Sequence, residues 1–170
     1  MGADFMTISR KALLGGVASL GAAASAETLS RAAGAGSSAV LGAWKLESFD
    51  VVEKDGTTKP RFGNNPVGYL IYTPSGRMSA TLSGVKRPKF EPAAESSSAC
   101  AEQLTDFLSY AGTYDIHGDR VFHRVEVSVF TNLVGTTLER KFVIAGDTLT
   151  IRTITPGMWG SDSILVWKRT

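Results

Sequence analysis

The stretch VFHRVEVSVF at residues 121–130 alternates in character from one residue to the next, which is typical of a strand with one buried face. One row of this strand contains four valines, at Val121, Val125, Val127 and Val129. The odd member of the row is His123, one of only two histidines in the chain. A histidine in a valine row is either a hydrogen-bonded core residue or the polar part of a pocket.

Short alternating runs separated by turn residues continue this pattern through the chain from Val40 onward. We predict eight strands, at 40–53, 67–73, 77–83, 112–117, 121–130, 135–144, 148–154 and 163–169. The second and third runs are joined by TPSG at 73–76, with proline second and glycine fourth. This pattern favours a type I turn with Gly76 as a structural residue, and therefore a hairpin.

One segment, SSSACAEQLTDFLSYA at 96–111, has a helical rather than an alternating pattern. Its apolar residues share one face of a helix and are Cys100, Leu104, Phe107, Leu108 and Ala111. We expect Cys100 to be an inert buried residue rather than a nucleophile. The predicted fold class is all-β: an eight-stranded antiparallel up-and-down barrel with one helix between strands three and four. Such a barrel has room inside for side chains or for one small ligand.

The composition limits the classes of function. The chain has 170 residues, 43% of them hydrophobic, and a formal net charge of +2, which suits one globular domain with a core. The weak charge argues against nucleic-acid binding, since no basic run interleaved with aromatics accompanies it. No P-loop or dinucleotide-binding turn is present in the sequence, so we expect no cofactor. One cysteine and two histidines make a metal site improbable.

The first 39 residues differ from the rest and resemble an export signal. A charged start at Arg10-Lys11 is followed by a short apolar run and by Ala24-Ser25-Ala26, which fits a secretory signal peptide. We predict a signal peptide at 1–26, a flexible leader at 27–39 and the barrel domain at 40–170. Ser9-Arg10-Lys11 also resembles a relaxed twin-arginine signal. The expected location is periplasmic or secreted, without stable membrane insertion after signal removal, because the run is too short to span. The alternative is an Ala-rich cytoplasmic tail.

Four segments of the chain resemble the bacterial and fungal lipocalin-like domain family. They are LGAWKLESF, NNPVGYLIYTPSGRMSATL, YAGTYDIHGDRVFHRVEVSVFTNLVGTTLERKF and LVWKR, and together they extend from about Leu41 to Arg169. The hairpin and the YAGTY segment are the more specific parts. The resemblance implies a calyx-like β-barrel, and it brings no activity with it. Thr131 stands where the family tends to have proline.

Two neighbouring strands each place a polar group in an otherwise apolar row. Arg140 shares its row with Leu138, Phe142 and Ile144, much as His123 shares its row with the valines. A guanidinium inside a barrel needs a partner. The candidates are an acidic residue (Asp50, Asp115 or Glu126) or the anionic head of a ligand.

A structural interpretation competes with the pocket. Trp44 with either Arg140 or Arg169 can close one end of the barrel by a cation–π contact. His123 is then a satisfied core residue, a ligand contact or a catalytic acid–base. In the pocket interpretation the ligand-binding residues are His123, Arg140, Tyr69, Tyr72, Tyr114, Met78 and Trp159, with PGMWGSD at 156–162 as a lip.

Three functions fit these features. The first is a carrier or sensor for a small apolar molecule with an anionic or hydroxyl head. The second is a cyclase-type or isomerase-type enzyme on an apolar metabolite, with His123 as the acid–base and Tyr114 or Glu126 assisting. The third is an exported interaction module with a filled barrel.

Overall fold

Nine antiparallel strands form one sheet in the computed structural model, which describes residues 38–87, 89, 101, 104–154 and 162–170. A 3₁₀ turn at Thr131–Leu133 follows the sixth strand. The strands are β1 Gly42–Val52, β2 Thr58–Pro60, β3 Val67–Tyr72, β4 Arg77–Ser83, β5 Phe107–His117, β6 Arg120–Ser128, β7 Thr137–Ala145, β8 Thr148–Thr153 and β9 Ser163–Arg169.

The sheet closes on itself because β1 pairs with both β3 and β9. The first residues of β1 pair with β3, and the stretch from Trp44 to Val51 pairs with β9, with a register shift between Leu46 and Ser48. Strand β2 only extends the far end of β1. The other eight strands form a closed antiparallel barrel, which confirms the predicted architecture and leaves the barrel without open edges.

The predicted hairpin is β3 and β4. Thr73 N–H donates to the Arg77 carbonyl at 2.9 Å, and Gly76 takes a φ of +77° that favours glycine. Alternation along β4 turns Met78, Ala80 and Leu82 into the barrel.

One end of the barrel is closed by Trp44 and Arg169. The buried Trp44 indole donates to the Val40 carbonyl at 2.7 Å, and the Arg169 guanidinium lies 4.1 Å above its ring. Arg169 also donates to the carbonyls of Leu41 and Ala39, at 2.8 and 2.7 Å. Of the two candidate cations for Trp44, the structure places Arg169 on the ring. Residues 39–41 are thereby fixed across this end, here called the closed end.

A β-bulge interrupts the valine row of β6, and the prediction for Val127 is wrong. The pairing of β5 with β6 passes from Ala111–Val127 directly to Gly112–Val125, so that Glu126 is the extra residue. Val121 and Val125 are buried as predicted, whereas Val127 is 61% exposed. The extra residue shifts the alternation, and the side chains beyond it change faces.

The helix predicted at 96–111 is not seen as an element in the part of the chain that the structure describes, where residues 101, 104 and 105 are helical and β5 begins at Phe107. Phe107, Leu108 and Ala111, which the prediction placed on one helical face, lie in strand β5. Leu108 pairs with Leu82 of β4, and this pairing is part of what closes the barrel. The run FLSYA fits an alternating pattern as well as a helical one, and tertiary pairing decides between them. Residues 90–100, including Cys100, lie outside the described residues.

Several predictions concern parts of the chain outside the described residues. They are the signal peptide at 1–26, all of the leader up to residue 37, and most of the lip at 156–162, including Met158 and Trp159. Within the described part, no helix is long and apolar enough to cross a membrane.

The backbone of β6 approaches β5 closely at Gly112, and we expect Gly112→Ala to destabilise the fold. An added Cβ would lie 1.9 Å from the Arg124 carbonyl oxygen, which is a backbone atom that cannot easily move. The free energy of unfolding in urea should fall by about 3 kcal/mol or more. Gly118→Ala is the control, because Gly118 has a φ of +61° but nothing within 4 Å. It should cost about 1 kcal/mol. Equal losses in the two variants would contradict the close approach at Gly112.

Candidate functional site

A cavity of about 260 Å³ lies inside the barrel, toward the end opposite Trp44 and Arg169. Its wall comes from the parts of the strands remote from the closed end, such as the end of β4 and the start of β5. Most lining side chains are apolar, and they include Phe49, Leu70, Leu108, Leu138, Leu165 and Trp167. The polar lining groups are Tyr110, His123, Thr136, Arg140, Thr153 and Ser163. An apolar cavity with a few polar groups is the usual form of a small-molecule site.

His123 lies in the inner wall with both of its ring nitrogens engaged. Its side chain is 1% exposed, and the alternation of β6 turns it inward between Val121 and Val125. Nε2 lies 2.7 Å from the Tyr72 hydroxyl oxygen, and Nδ1 lies 3.0 Å from the Tyr110 hydroxyl oxygen. The histidine therefore links the core at the closed end, where Tyr72 ends β3, to the cavity wall at Tyr110.

Burial sets the protonation of this cluster. It lowers the pKa of His123 to about 3, and the nearby charge of Arg140 acts in the same direction. Burial also raises the pKa values of Tyr72 and Tyr110 above their usual value, against the opposing effect of Arg140. At pH 7 the histidine and the tyrosines are neutral, and Arg140 carries the charge.

Arg140 extends from β7 beside His123. The β6–β7 register pairs His123 with Leu138 and Val121 with Arg140, so the two polar residues are diagonal neighbours on one face. Arg140 donates to the carbonyl of Glu139 at 3.1 Å. The predicted juxtaposition of a histidine and an arginine inside the barrel is therefore present.

No carboxylate among the described residues forms an ion pair with Arg140. Two of its expected partners are engaged elsewhere, since Asp115 pairs with Arg124 and Glu126 pairs with Arg77 at partly exposed positions. The third, Asp50, is paired in register with Pro60 and Ile164 and is not in the cavity wall. The described lining contains no acidic side chain, so Arg140 gives the cavity a positive charge without a counter-charge.

The remaining predicted ligand-binding residues take different places. Tyr72 is buried behind His123. Met78 is a buried core residue, and it is the register partner of Tyr72 on β4. The Tyr114 hydroxyl donates to the Thr73 carbonyl at 3.0 Å, and its ring packs against Tyr72. Tyr69 is 54% exposed on the outer face, so the prediction that it lines the cavity is wrong.

Alternation explains the position of Tyr69. It stands three residues before Tyr72 on the same strand, and residues an odd number apart face opposite sides of a sheet. Trp159, the last of the predicted ligand-binding residues, lies outside the described residues.

Two aromatic residues of the site, Tyr110 and Trp167, are not among the predicted ligand-binding residues. Tyr110 has the residue type of a cavity lining, but it falls in the segment predicted as a helix, whereas Leu108, Tyr110 and Gly112 form an inward row of β5. Trp167 lines the cavity, and its Nε1 is buried without a hydrogen-bond partner among the described residues. Its signal was the alternation of the last strand, in which Ser163, Leu165 and Trp167 share a row and line the cavity.

Comparison with known protein families identifies the family to which this barrel belongs. The profile of the lipocalin-like domain matches residues 41–170, which is the whole of the barrel. The chain belongs to the lipocalin-like domain family. No functionally curated protein matches it. Membership of this family agrees with the closed barrel and suggests small-molecule binding. The class of ligand depends on the residues that line the cavity.

The buried histidine makes the stability of this lipocalin-like domain depend on pH. Below about pH 6.5 the unfolded chain protonates His123, whereas the folded chain does so only near pH 3. The unfolded state then binds more protons, so the contribution is complete above about pH 6.5 and is lost as the pH falls toward 3. We expect the free energy of unfolding to fall by about 1.4 kcal/mol per pH unit in the acid part of this range.

Urea unfolding between about pH 7 and pH 4 measures this slope. His123→Gln should reduce the dependence of the free energy of unfolding on pH by about 1.4 kcal/mol per pH unit, which is the contribution of one proton. The matched control is His117→Gln, at the exposed end of β5, which should keep the steep slope. An unchanged slope in His123→Gln would show that another group causes the acid sensitivity.

Proposed function

We propose that this lipocalin-like protein binds a small, mainly apolar molecule in the barrel cavity, with the polar head of the ligand at Arg140 and the His123 cluster. The observation that carries the proposal is the Arg140 guanidinium, which faces an apolar cavity without an acidic partner in the described part of the chain. Arg140 is half-buried, so water compensates its charge only in part, and a further compensating group in the cavity would stabilise it. An anionic or hydroxyl head on the ligand supplies that group.

The cavity volume supports a binding role over a purely structural one. About 260 Å³ is larger than the roughly 150 Å³ of an engineered apolar cavity that binds benzene. A barrel packed only by its own side chains would have no space of this size, since protein interiors contain few voids larger than a water molecule. The interior therefore favours a carrier or sensor.

The geometry gives less support to an enzyme. Both ring nitrogens of His123 bond to tyrosines, so a proton transfer to a substrate would require one of these bonds to break. The two residues expected to assist lie elsewhere: Tyr114 donates to a backbone carbonyl, and Glu126 pairs with Arg77. We therefore place binding ahead of the cyclase or isomerase alternative.

Ligand binding can be tested by the melting temperature of the full chain against a panel of small apolar probes, such as 1-octanol, octanoate and benzyl alcohol. At about 100 times the Kd, a ligand adds about 2.7 kcal/mol of stability. For a domain of this size, that raises the Tm by about 5–10 °C.

Two variants at neighbouring positions of β4 show whether binding in the cavity causes the shift of Tm. Ala80→Phe fills the cavity wall and should abolish the shift of Tm, whereas Thr81→Phe on the exposed face should keep it. A panel without any shift, or a shift that persists in Ala80→Phe, would overturn the proposal.

We also propose that the protein is exported, to the periplasm or to the medium. Support comes from Arg10-Lys11, the apolar run after them and the small residues around Ala24 and Ala26, the features of a signal peptide. If cleavage follows Ala26, N-terminal sequencing of protein recovered outside the cytoplasm should begin at Glu27. Recovery of the chain only from the cytoplasm, with residues 1–26 still attached, would contradict this proposal.

A further inference from the structure

The two tyrosine hydroxyls at His123 cannot have the same role, because a neutral imidazole carries one N–H donor and one acceptor nitrogen. Since burial keeps the pKa of His123 at about 3, the ring is neutral at pH 7. One of Tyr72 and Tyr110 therefore donates a hydrogen bond to His123, and the other accepts one from it.

The surroundings of the two hydroxyls decide which tyrosine donates. The Tyr72 side chain is fully buried, and its hydroxyl has no second hydrogen-bond partner in the described part of the chain. If it accepted from Nε2–H, its own hydrogen would be buried without an acceptor, which is costly. Tyr110 lines the cavity, so its hydroxyl hydrogen can point toward an acceptor on a water molecule or a ligand there.

Both distances are compatible with this assignment. Tyr72 Oη lies 2.7 Å from Nε2, and Tyr110 Oη lies 3.0 Å from Nδ1. Each distance fits an O–H or an N–H donor, so the burial of the Tyr72 hydroxyl decides the direction. Tyr72 thus donates to Nε2, and Nδ1–H donates to the Tyr110 oxygen. This arrangement leaves the Tyr110 hydroxyl hydrogen free for a group in the cavity.

The Arg140 guanidinium adds further hydrogen-bond donors beside the Tyr110 hydroxyl. It lies close enough to Tyr110 to act on the hydroxyl by charge and by hydrogen bonding, and a guanidinium can only donate. The Tyr110 oxygen therefore faces donors from two sides, and its own hydrogen and the remaining N–H groups of Arg140 are available to the cavity. This part of the wall presents donors and a positive charge, and it has no free acceptor.

We propose that the cluster of Tyr72, His123, Tyr110 and Arg140 selects ligands that end in a carboxylate, which is held jointly by the Arg140 guanidinium and the Tyr110 hydroxyl. The inference rests on the proposed binding function and names the class of ligand. A carboxylate only accepts hydrogen bonds, and it matches the planar guanidinium. An alcohol matches the donors with weaker bonds, and an ammonium head is repelled.

The cavity volume limits the rest of the ligand. An apolar cavity of about 150 Å³ holds one benzene ring, so 260 Å³ corresponds to roughly ten non-hydrogen atoms. The ligand class is therefore a monocarboxylate with a short apolar body, of the size of a medium-chain fatty acid or a substituted benzoate. Octanoate has this size and is a suitable probe.

The direction of the hydrogen bonds can be tested by ¹⁵N NMR of the full chain with labelled histidine rings. The chain has only two histidines, so the His117→Gln variant assigns the signals. We expect Nδ1 of His123 to be protonated and Nε2 to be unprotonated, which is the less common tautomer of histidine in water. A protonated Nε2 with an unprotonated Nδ1 would overturn the assignment and the argument for carboxylates.

The selectivity can be tested with four eight-carbon probes that differ only in the head: octanoate, octanamide, 1-octanol and octylamine. Calorimetry on the delipidated full chain at pH 8 should give octanoate an affinity at least about ten-fold above the amide and the alcohol, and no binding of the amine. Equal affinities for the acid, the amide and the alcohol would overturn the carboxylate inference and leave the proposed binding function intact. Failure of all four probes would overturn both.

Two substitutions in the cluster separate charge from hydrogen bonding. Arg140→Met should remove the preference for octanoate over 1-octanol, and Tyr110→Phe should reduce it without changing the charge. Arg152→Met is the matched control, because Arg152 is exposed on β8 next to Thr153, the register partner of Arg140. A preference that survives in Arg140→Met, or that disappears in Arg152→Met, would contradict the assignment.

Discussion

The pairing of β1 with β9 is the constraint on which the interior depends. It joins the first and last strands of the sheet and converts a twisted sheet with two edges into a closed barrel. Closure then divides every strand into an inner and an outer row. The barrel has a filled half, where Arg169 covers Trp44, and a hollow half, where the cavity lies. A cavity wall of fixed geometry exists only because the sheet is closed.

Within that wall, the polar cluster shows how a charged group can be kept in an apolar interior. His123 is neutral and fully hydrogen-bonded, so it costs little once buried. Arg140 differs, because no acidic side chain of the described lining compensates its charge. The cluster thus combines a neutral, fully hydrogen-bonded histidine, which holds the geometry, with a half-buried cation that has hydrogen bonds but no acidic partner in the described lining. This division favours a binding site over a core that happens to contain polar residues.

Much of this could be predicted from the sequence, and the failures have physical causes. Alternation and turn residues locate the strands, and the same alternation places His123 and Arg140 together inside the barrel. The bulge that turns Val127 outward lies next to Gly112, where the two backbones approach closely, and no pattern in β6 reveals it. Tyr110 is absent from the predicted ligand-binding residues because the run at 107–111 fits both a helical and an alternating period, and only its pairing with β4 decides between them. The direction of the hydrogen bonds at His123 needs distances and burial, which a sequence does not contain.

The positions of the two described tryptophans have an optical consequence. Trp44 lies under the Arg169 guanidinium at the closed end, away from the cavity, whereas Trp167 forms part of the cavity wall. The emission of an indole depends on the polarity of its surroundings, so filling the cavity alters the environment of Trp167, whereas Trp44 is not part of the cavity lining. Trp167 therefore gives the protein a built-in fluorescent reporter of cavity occupancy.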